Sequence, residues 1–352
     1  MKTTKENLLA SAKTAARATD KRSTVPILSC LLLESHQITG CDLSRQIVAS
    51  LPEPIEGLEP VAVPAAKLVN ILSALPRDAG VTLKQESDSL IVKSGRSRFK
   101  LSAMPAADYP SYDLRGEFFE LSNGPDVVKA FSDLDFACPK DDVRHYLNGM
   151  AIEHSDGVAG FAAATDGRRM SARTFDGSVD GVTSIVPISA VEDITALFGN
   201  GDGSTVKVSH RMIQVERDGV SYRSNLIEGR YPDWRKIVPM PTSTYIVDRE
   251  ALMSAIKQAE VTSNEKVRGG TFTFKSGAGM VVSHNPERDE LQAEFDCTTS
   301  DQELEFGMSL VYLMDALKAV TSETVSILMD GPGNPLLIRE GDDLHVVMPM
   351  RM

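Results

Sequence analysis

The sequence has little with which to build a redox, metal or catalytic centre. Its four cysteines, Cys30, Cys41, Cys138 and Cys297, lie far apart and form no C-x-x-C pair. That spacing argues against a disulfide framework or a zinc ribbon and fits a reducing cytoplasm. No run of about 18 apolar residues occurs, so no membrane-spanning helix is expected. The six histidines, His36, His145, His154, His210, His284 and His345, show no H-E-x-x-H or other paired ligand spacing, and neither a P-loop nor a G-x-S-x-G is present. Asp133, Asp135, Asp141 and Asp142 read as acids at a helix end rather than as a metal cradle. The chain is therefore expected to be no enzyme and to need no cofactor. Cations are in the minority as well, 37 Lys and Arg against 49 Asp and Glu, for a net charge of −12.

What is there suits two or three domains. At 352 residues the chain exceeds what one core usually fills, roughly 250 residues. With 42% apolar and 24% charged residues it has the composition of an ordinary globular protein. Residues 1–22 run against the overall charge, with six cations (Lys2, Lys5, Lys13, Arg17, Lys21, Arg22) against two acids (Glu6, Asp20). Two readings stand: an organelle-targeting segment, or a helix whose polar face meets a polyanion.

The chain repeats itself. An amphipathic helix is predicted at residues 5–19, again at 126–137 and again at 248–261; a second, entered from a short β-branched run, at 64–75, 187–198 and 309–320. Between them each unit carries a strand ending in a polar turn, Thr39-Gly40-Cys41-Asp42, Ala164-Thr165-Asp166-Gly167 and Ser283-His284-Asn285-Pro286. Corresponding points recur at roughly 120 residues. The units run about 1–116, 117–241 and 242–352, with Pro-rich junctions after Tyr109-Pro110 and at Val238-Pro239-Met240-Pro241. The remaining segments, such as 80–101, 204–223 and 324–348, alternate apolar and polar residues between Gly, Asn, Asp and Pro. Two helices and many strands per unit give an α+β module, its helices on one side of antiparallel sheets.

The cations of the helices are spaced for one face. Lys13 and Arg17 are four apart, opposite Leu8, Leu9, Ala12 and Ala16. Lys129, Lys257 and Lys318 hold corresponding positions, with Arg22, Lys140, Arg144, Lys266 and Arg268 just beyond helix ends. In an acidic protein this segregation points to phosphate contact. The last nine residues, 344–352, read as a β-branched strand turning into a Met-Pro-Met edge. They either finish a sheet or offer an adaptable surface to several partners.

Seven blocks spread from end to end closely resemble the bacterial DNA polymerase III β subunit, the sliding-clamp family. They are TVPILS at 24–29, SGRSRFKLSAMPAADYP at 94–110, DVRHYLNGM at 142–150, ATDGRRM at 164–170, EGRYPDWRKIVP at 228–239, SNEKVRG at 263–269 and the terminal VVMPMRM. The resemblance implies three clamp domains per chain and a head-to-tail homodimer whose six domains close a ring around duplex DNA. It also implies an ATP-driven clamp loader, and DNA polymerases and repair proteins that dock short peptides in a hydrophobic cleft. Sliding needs phosphate contact without base readout. Carried across by resemblance, the DNA-binding residues are Lys13, Arg17, Arg22, Lys129, Lys140, Arg144, Tyr146, Lys257 and Lys266. The cleft is Leu147, Thr165, Gly167, Arg168, Arg169, Met170, Pro232, Lys236, Ile237, Val346, Met348, Pro349, Met350 and Arg351, with Ser309 and Tyr312 at the rim. Read without the family, Thr165-Asp166-Gly167 is a hairpin turn and Tyr231-Pro232-Asp233-Trp234 a packed linker; a turn can also line a groove.

For ring closure the resemblance implies Tyr109 and Tyr112 as apolar area, and Arg96 and Arg98 meeting Glu287, Asp289, Glu290 or Glu294 of a second chain; Gly95 to Arg98 alone reads equally as a solvated basic hairpin. Val261 and Thr262 stand where two bulky aliphatics are usual in the family, which implies a smaller apolar contact. Other departures are Arg168 and Met170 for His and Leu, Met352 for Leu, His145 for a tyrosine, and Ala66 for a basic residue, while Glu192 and Asp193 make their helix acidic. These last changes keep open a second reading, a clamp-like scaffold that binds partners without encircling DNA.

Overall fold

The computed structural model describes residues 1–110, 112, 117–175, 181–287 and 289–351. The expected boundary at residue 116 and the departure at Met352 lie outside these.

Six helices form where the periodicity predicts them: α1 (Lys5–Ala15), α2 (Ala65–Ala74), α3 (Gly124–Leu134), α4 (Ile188–Phe198), α5 (Arg249–Thr262) and α6 (Leu310–Ala319). Three start on side-chain caps: the oxygens of Thr4, Asp248 and Ser309 accept from the backbone N–H of Asn7, Ala251 and Tyr312. The first and third amphipathic stretches bury their apolar faces as expected, Leu8, Ala12 and Ala15 on α1 and Leu252, Ile256 and Ala259 on α5. The first residues are built into the fold. Strand Lys2–Thr4 pairs with Gly80–Glu86, and the terminal ammonium donates to the Leu83 carbonyl at 3.0 Å. A segment whose backbone and helix face are both committed to the core is not a detachable leader, so the targeting reading of residues 1–22 is set aside.

The chain falls into two compact units, Met1–Lys129 with Ser189–Leu226, and Ala130–Ile188 with Ile227–Met352. These do not follow the sequence repeats, because strands from neighbouring repeats join edge to edge. In the first unit a nine-stranded sheet runs in the order Phe119–Leu121, Thr205–Val208, Met212–Arg217, Val220–Asn225, Arg45–Ser50, Gln37–Cys41, Cys30–Leu33, Val61–Pro64, Met104–Pro105. Its junction is the antiparallel pair that sets Tyr222 opposite Ile47. In the second unit the nine-stranded sheet runs Val182–Pro187, Gly149–Ser155, Val158–Thr165, Arg169–Thr174, Asp343–Val347, Leu336–Glu340, Thr324–Leu328, Thr244–Asp248, Cys297–Thr298. There Ala172 faces Leu344 across the junction. Each such junction gives an edge strand a partner and removes an aggregation-prone edge.

Each unit also holds a four-stranded antiparallel sheet: Lys2–Thr4, Gly80–Glu86, Ser89–Ser94, Ser97–Ser102 in the first, and Glu290–Phe295, Ala278–His284, Gly269–Lys275, Leu304–Ser309 in the second. The largest core, in the second unit, packs α5 and α6 over aromatics that include Phe272, Phe274, Phe295 and Phe306, with Phe272 and Phe306 stacked at 5.6 Å. Among the described residues no helix is long and apolar enough to cross a membrane.

Candidate functional site: a cleft at the terminal strand and the cations of the helices

The terminal segment is held by backbone hydrogen bonds on both of its sides. The Met348 N–H donates to the Arg168 carbonyl, and the Met350 N–H to the Gly307 carbonyl, each at 2.9 Å. Strung between two elements, residues 348–351 edge a cleft of about 650 Å³, lined also by Arg168, Glu265, Lys266, Val267, Arg268, Ser309, Val311 and Tyr312. Asn264 shapes the loop on the far wall: its side-chain oxygen accepts from the N–H groups of Lys266 and Val267, and its carbonyl from that of Arg268. Arg268 has a φ of +46°, and its carbonyl accepts from Leu310 N–H at the start of α6. A non-glycine residue there is strained, and such strain collects at binding sites.

Of the expected cleft residues, Arg168, Ser309, Tyr312, Met348, Pro349, Met350 and Arg351 come together around this cavity. Leu147 (2% exposed), Thr165, Met170 (1%) and Val346 do not line it as open wall. Leu147, Met170 and Val346 belong to a buried cluster with Phe161, Tyr231 and Trp234. Pro232, Lys236 and Ile237 are exposed on the short turn Trp234–Ile237 and its approach, with Lys236 paired to Asp233 at 3.1 Å. Ser309 caps α6.

Arg169 reaches inward. It bonds Asp166 at 3.1 Å and Asp315 on α6 at 2.6 Å, and its guanidinium lies 4.4 Å from the Tyr312 ring centre. It therefore positions the rim tyrosine and has little left to offer a ligand. Gly167, at φ +84°, lies against the Arg144 guanidinium; a Cβ there would be 3.1 Å from it. Arg144 is in turn gripped by both carboxylate oxygens of Asp142 and by the Asp166 carbonyl. Its hydrogen bonds hold the Asp142 carboxyl down at about 2. Sequence reasoning did not place Glu265, Val267, Arg268 and Val311 in the cleft, although the block at 263–269 had been singled out; its cations were read as phosphate ligands.

The cations expected to meet DNA differ in exposure and in pairing. Lys13, Arg22, Lys129, Lys140, Lys257 and Lys266 are exposed, and Tyr146 is half-buried with its ring against His145. Lys266 lines the cleft. Arg17 on the turn after α1 bonds Asp193 of α4 at 3.2 Å, and Arg45 bonds the other oxygen of Asp193 at 2.6 Å. Asp193 is thus a buried counter-ion and not a repulsive surface acid, which corrects the reading of an acidic helix face. Burial pushes its carboxyl up, and the guanidiniums of Arg45 and Arg17 pull it back.

Among the expected dimer residues, Arg96, Arg98, Glu287, Glu290 and Glu294 are exposed, and Val261 is 83% exposed. Arg98 lies on the edge strand Ser97–Ser102, Glu290 and Glu294 on the edge strand Glu290–Phe295. Thr262 bonds Ser283 at 2.6 Å. Tyr109 is 7% exposed, and its hydroxyl lies 3.1 Å from the carbonyls of Cys30 and Thr39. Tyr112 is half-buried, 3.4 Å from the Leu43 carbonyl.

The chain matches three family models in order: the N-terminal domain of the DNA polymerase III β subunit at residues 1–113, the central domain at 124–233 and the C-terminal domain at 235–351. It is 31% identical to the β sliding clamp of Pseudomonas putida over 99% of this chain and 98% of that one. It is equally identical to that of Escherichia coli K12, with the same coverage. The crystal structure of the Pseudomonas aeruginosa β subunit superposes with a TM-score of 0.91 at 30% identity, covering 100% of both chains. Three α+β clamp domains in one chain, with full-length relatives of the same description, make this a DNA sliding clamp that belongs to the DNA polymerase III β-subunit family.

Proposed function

We propose that the chain acts as a non-catalytic processivity factor: a head-to-tail dimer closes a ring around duplex DNA, an ATP-driven loader opens it, and polymerases and repair proteins dock in the terminal cleft by short peptides. Three domains, with boundaries near 116 and 241, supply the ring, and the exposed cations of α1, α3 and α5 meet DNA phosphates. The observation that carries the reading is the segment 348–351, pinned on both sides and edging an open cleft with two methionines and a proline, the kind of surface that takes an extended apolar peptide.

Dimer closure is supported by two edge strands of opposite charge. Strand Ser97–Ser102 shows Arg98 and Lys100 on one face and buries Leu101 on the other; Glu290–Phe295 shows Glu290 and Glu294 and buries Ala293 and Phe295. An antiparallel pairing between two copies satisfies both edges and sets cation against acid. Processivity then comes from topology, because phosphate contacts alone are weak and salt-sensitive. The test is retention after loading on nicked circular DNA. Persistence on the circle and rapid loss once it is linearised is the expected result; equal loss from both would leave only a partner-binding scaffold.

A further inference from the structure

The cleft is not merely apolar. Arg168, Lys266, Arg268 and Arg351 line it against one acid, Glu265, in a chain whose net charge is −12. Among the described residues none of these four cations is in an ion pair, whereas Arg169 and Arg144 beside them are fully committed to Asp315 and Asp142. Arg168 comes from the turn that hydrogen-bonds Met348, while Lys266 and Arg268 come from the loop shaped by Asn264. The positive groups therefore stand on both sides of the Met348-Pro349-Met350 edge.

We propose that this cleft selects acidic linear peptides: an apolar core seated on Met348 and Met350, flanked by carboxylates that reach Arg168 on one wall and Lys266 and Arg268 on the other. The inference rests on the proposed peptide-docking role and adds the charge of the peptide. An apolar groove accepts any extended hydrophobic segment, so the walls must supply the discrimination. These four cations are exposed and have no ion-pair partner among the described residues, so a carboxylate can meet them without displacing an internal acid. They also impose a cost on a cationic competitor. A nucleic-acid strand would use the same cations, but Tyr312, the aromatic among the lining residues, has the Arg169 guanidinium 4.4 Å from its ring centre, and the methionine, proline and valine beside it give bases little to stack on.

The test uses the full-length protein and fluorescence anisotropy with three labelled probes: a peptide with an apolar core and flanking Asp and Glu, its Asn and Gln counterpart, and a single-stranded oligonucleotide. The acidic peptide should bind roughly ten-fold more tightly than the amide one, with a preference that shrinks as salt rises. Arg268→Asn, which tolerates the left-handed backbone, together with Arg168→Gln should cut the preference for the acidic over the amide peptide to about three-fold or less. Equal affinity for both peptides would overturn the charge inference and leave the cleft a docking site. Binding of neither would overturn the docking reading itself. An oligonucleotide that binds more tightly than the acidic peptide and displaces it would assign the cations to nucleic acid.

Discussion

Arg169 and Asp315 stand 2.6 Å apart, and Arg45 and Asp193 repeat the arrangement at the same distance in the other unit. In each, an aspartate three residues before the arginine, Asp166 or Asp42, accepts from the arginine's backbone N–H and bonds its Nε. In each, the second acid is the sixth residue of a helix, α6 or α4. The repeat in the sequence is thus also a repeated ion-pair clasp that fastens a strand-end turn to a helix.

Asp315→Ala should free the Arg169 guanidinium and, through it, the Tyr312 ring. Because the pair is only partly exposed, the cost to stability should be about 2 kcal/mol, below that of a fully buried pair. Urea unfolding measures that cost, and peptide affinity should fall as well. Asp193→Ala, which removes a buried acid shared by two arginines, should cost somewhat more, about 3 kcal/mol, yet leave peptide affinity unchanged, since Asp193 belongs to the other compact unit.

The third copy of the clasp is incomplete. The sixth residue of α2 is Asn70, exposed, where α4 and α6 carry aspartate. The matching turn is Asn285-Pro286-Glu287-Arg288, whose arginine lies outside the described residues. In the proposed ring these would face each other across the dimer junction. Asn70→Asp should then tighten the dimer several-fold by analytical ultracentrifugation, and an unchanged dissociation constant would mean that the clasp does not extend between chains.

The helices were legible because periodicity and caps are local. All six lie within a few residues of the predicted segments, and the turn at Thr165 to Gly167 is the hairpin its residues suggest. The composite sheets were not legible, since pairings such as Tyr222 with Ile47 join residues far apart in sequence, and alternation shows a strand but not its neighbour. For the same reason Asp193 read as a surface acid: its two arginine partners lie 148 and 176 positions away. At the cleft, resemblance found the terminal edge but not the opposite loop, where the backbone of Arg268 in a left-handed conformation leaves no mark in composition.

Gly167→Ala should destabilise the protein by about 1–2 kcal/mol. The left-handed backbone penalises any Cβ, and this Cβ would press on the Arg144 guanidinium. The methyl should displace Arg144 from Asp142, whose carboxyl should then rise from about 2 towards its ordinary value, a change readable by NMR titration. An unshifted carboxyl would show that Arg144 relaxes without leaving.

His345 gives the acid limit of stability. It is buried on strand Asp343–Val347, its Nδ1 3.0 Å from the Ser171 hydroxyl and its Nε2 without a hydrogen-bond partner among the described residues. Burial pushes its pKa down to about 4, against the pull of Asp343 and Glu340 and assisted by Arg173. With the folded value below the unfolded one of about 6.5, the unfolded chain binds the extra proton between these limits. The neutral ring's contribution is therefore complete above pH 6.5 and is lost as pH falls towards 4, by about 3 kcal/mol in all. Denaturant melts across this range should show that slope in the parent protein. In His345→Gln, which cannot take up a proton, the slope should flatten whatever the variant's absolute stability, and a slope as steep as the parent's would place the acid sensitivity on the carboxylates instead.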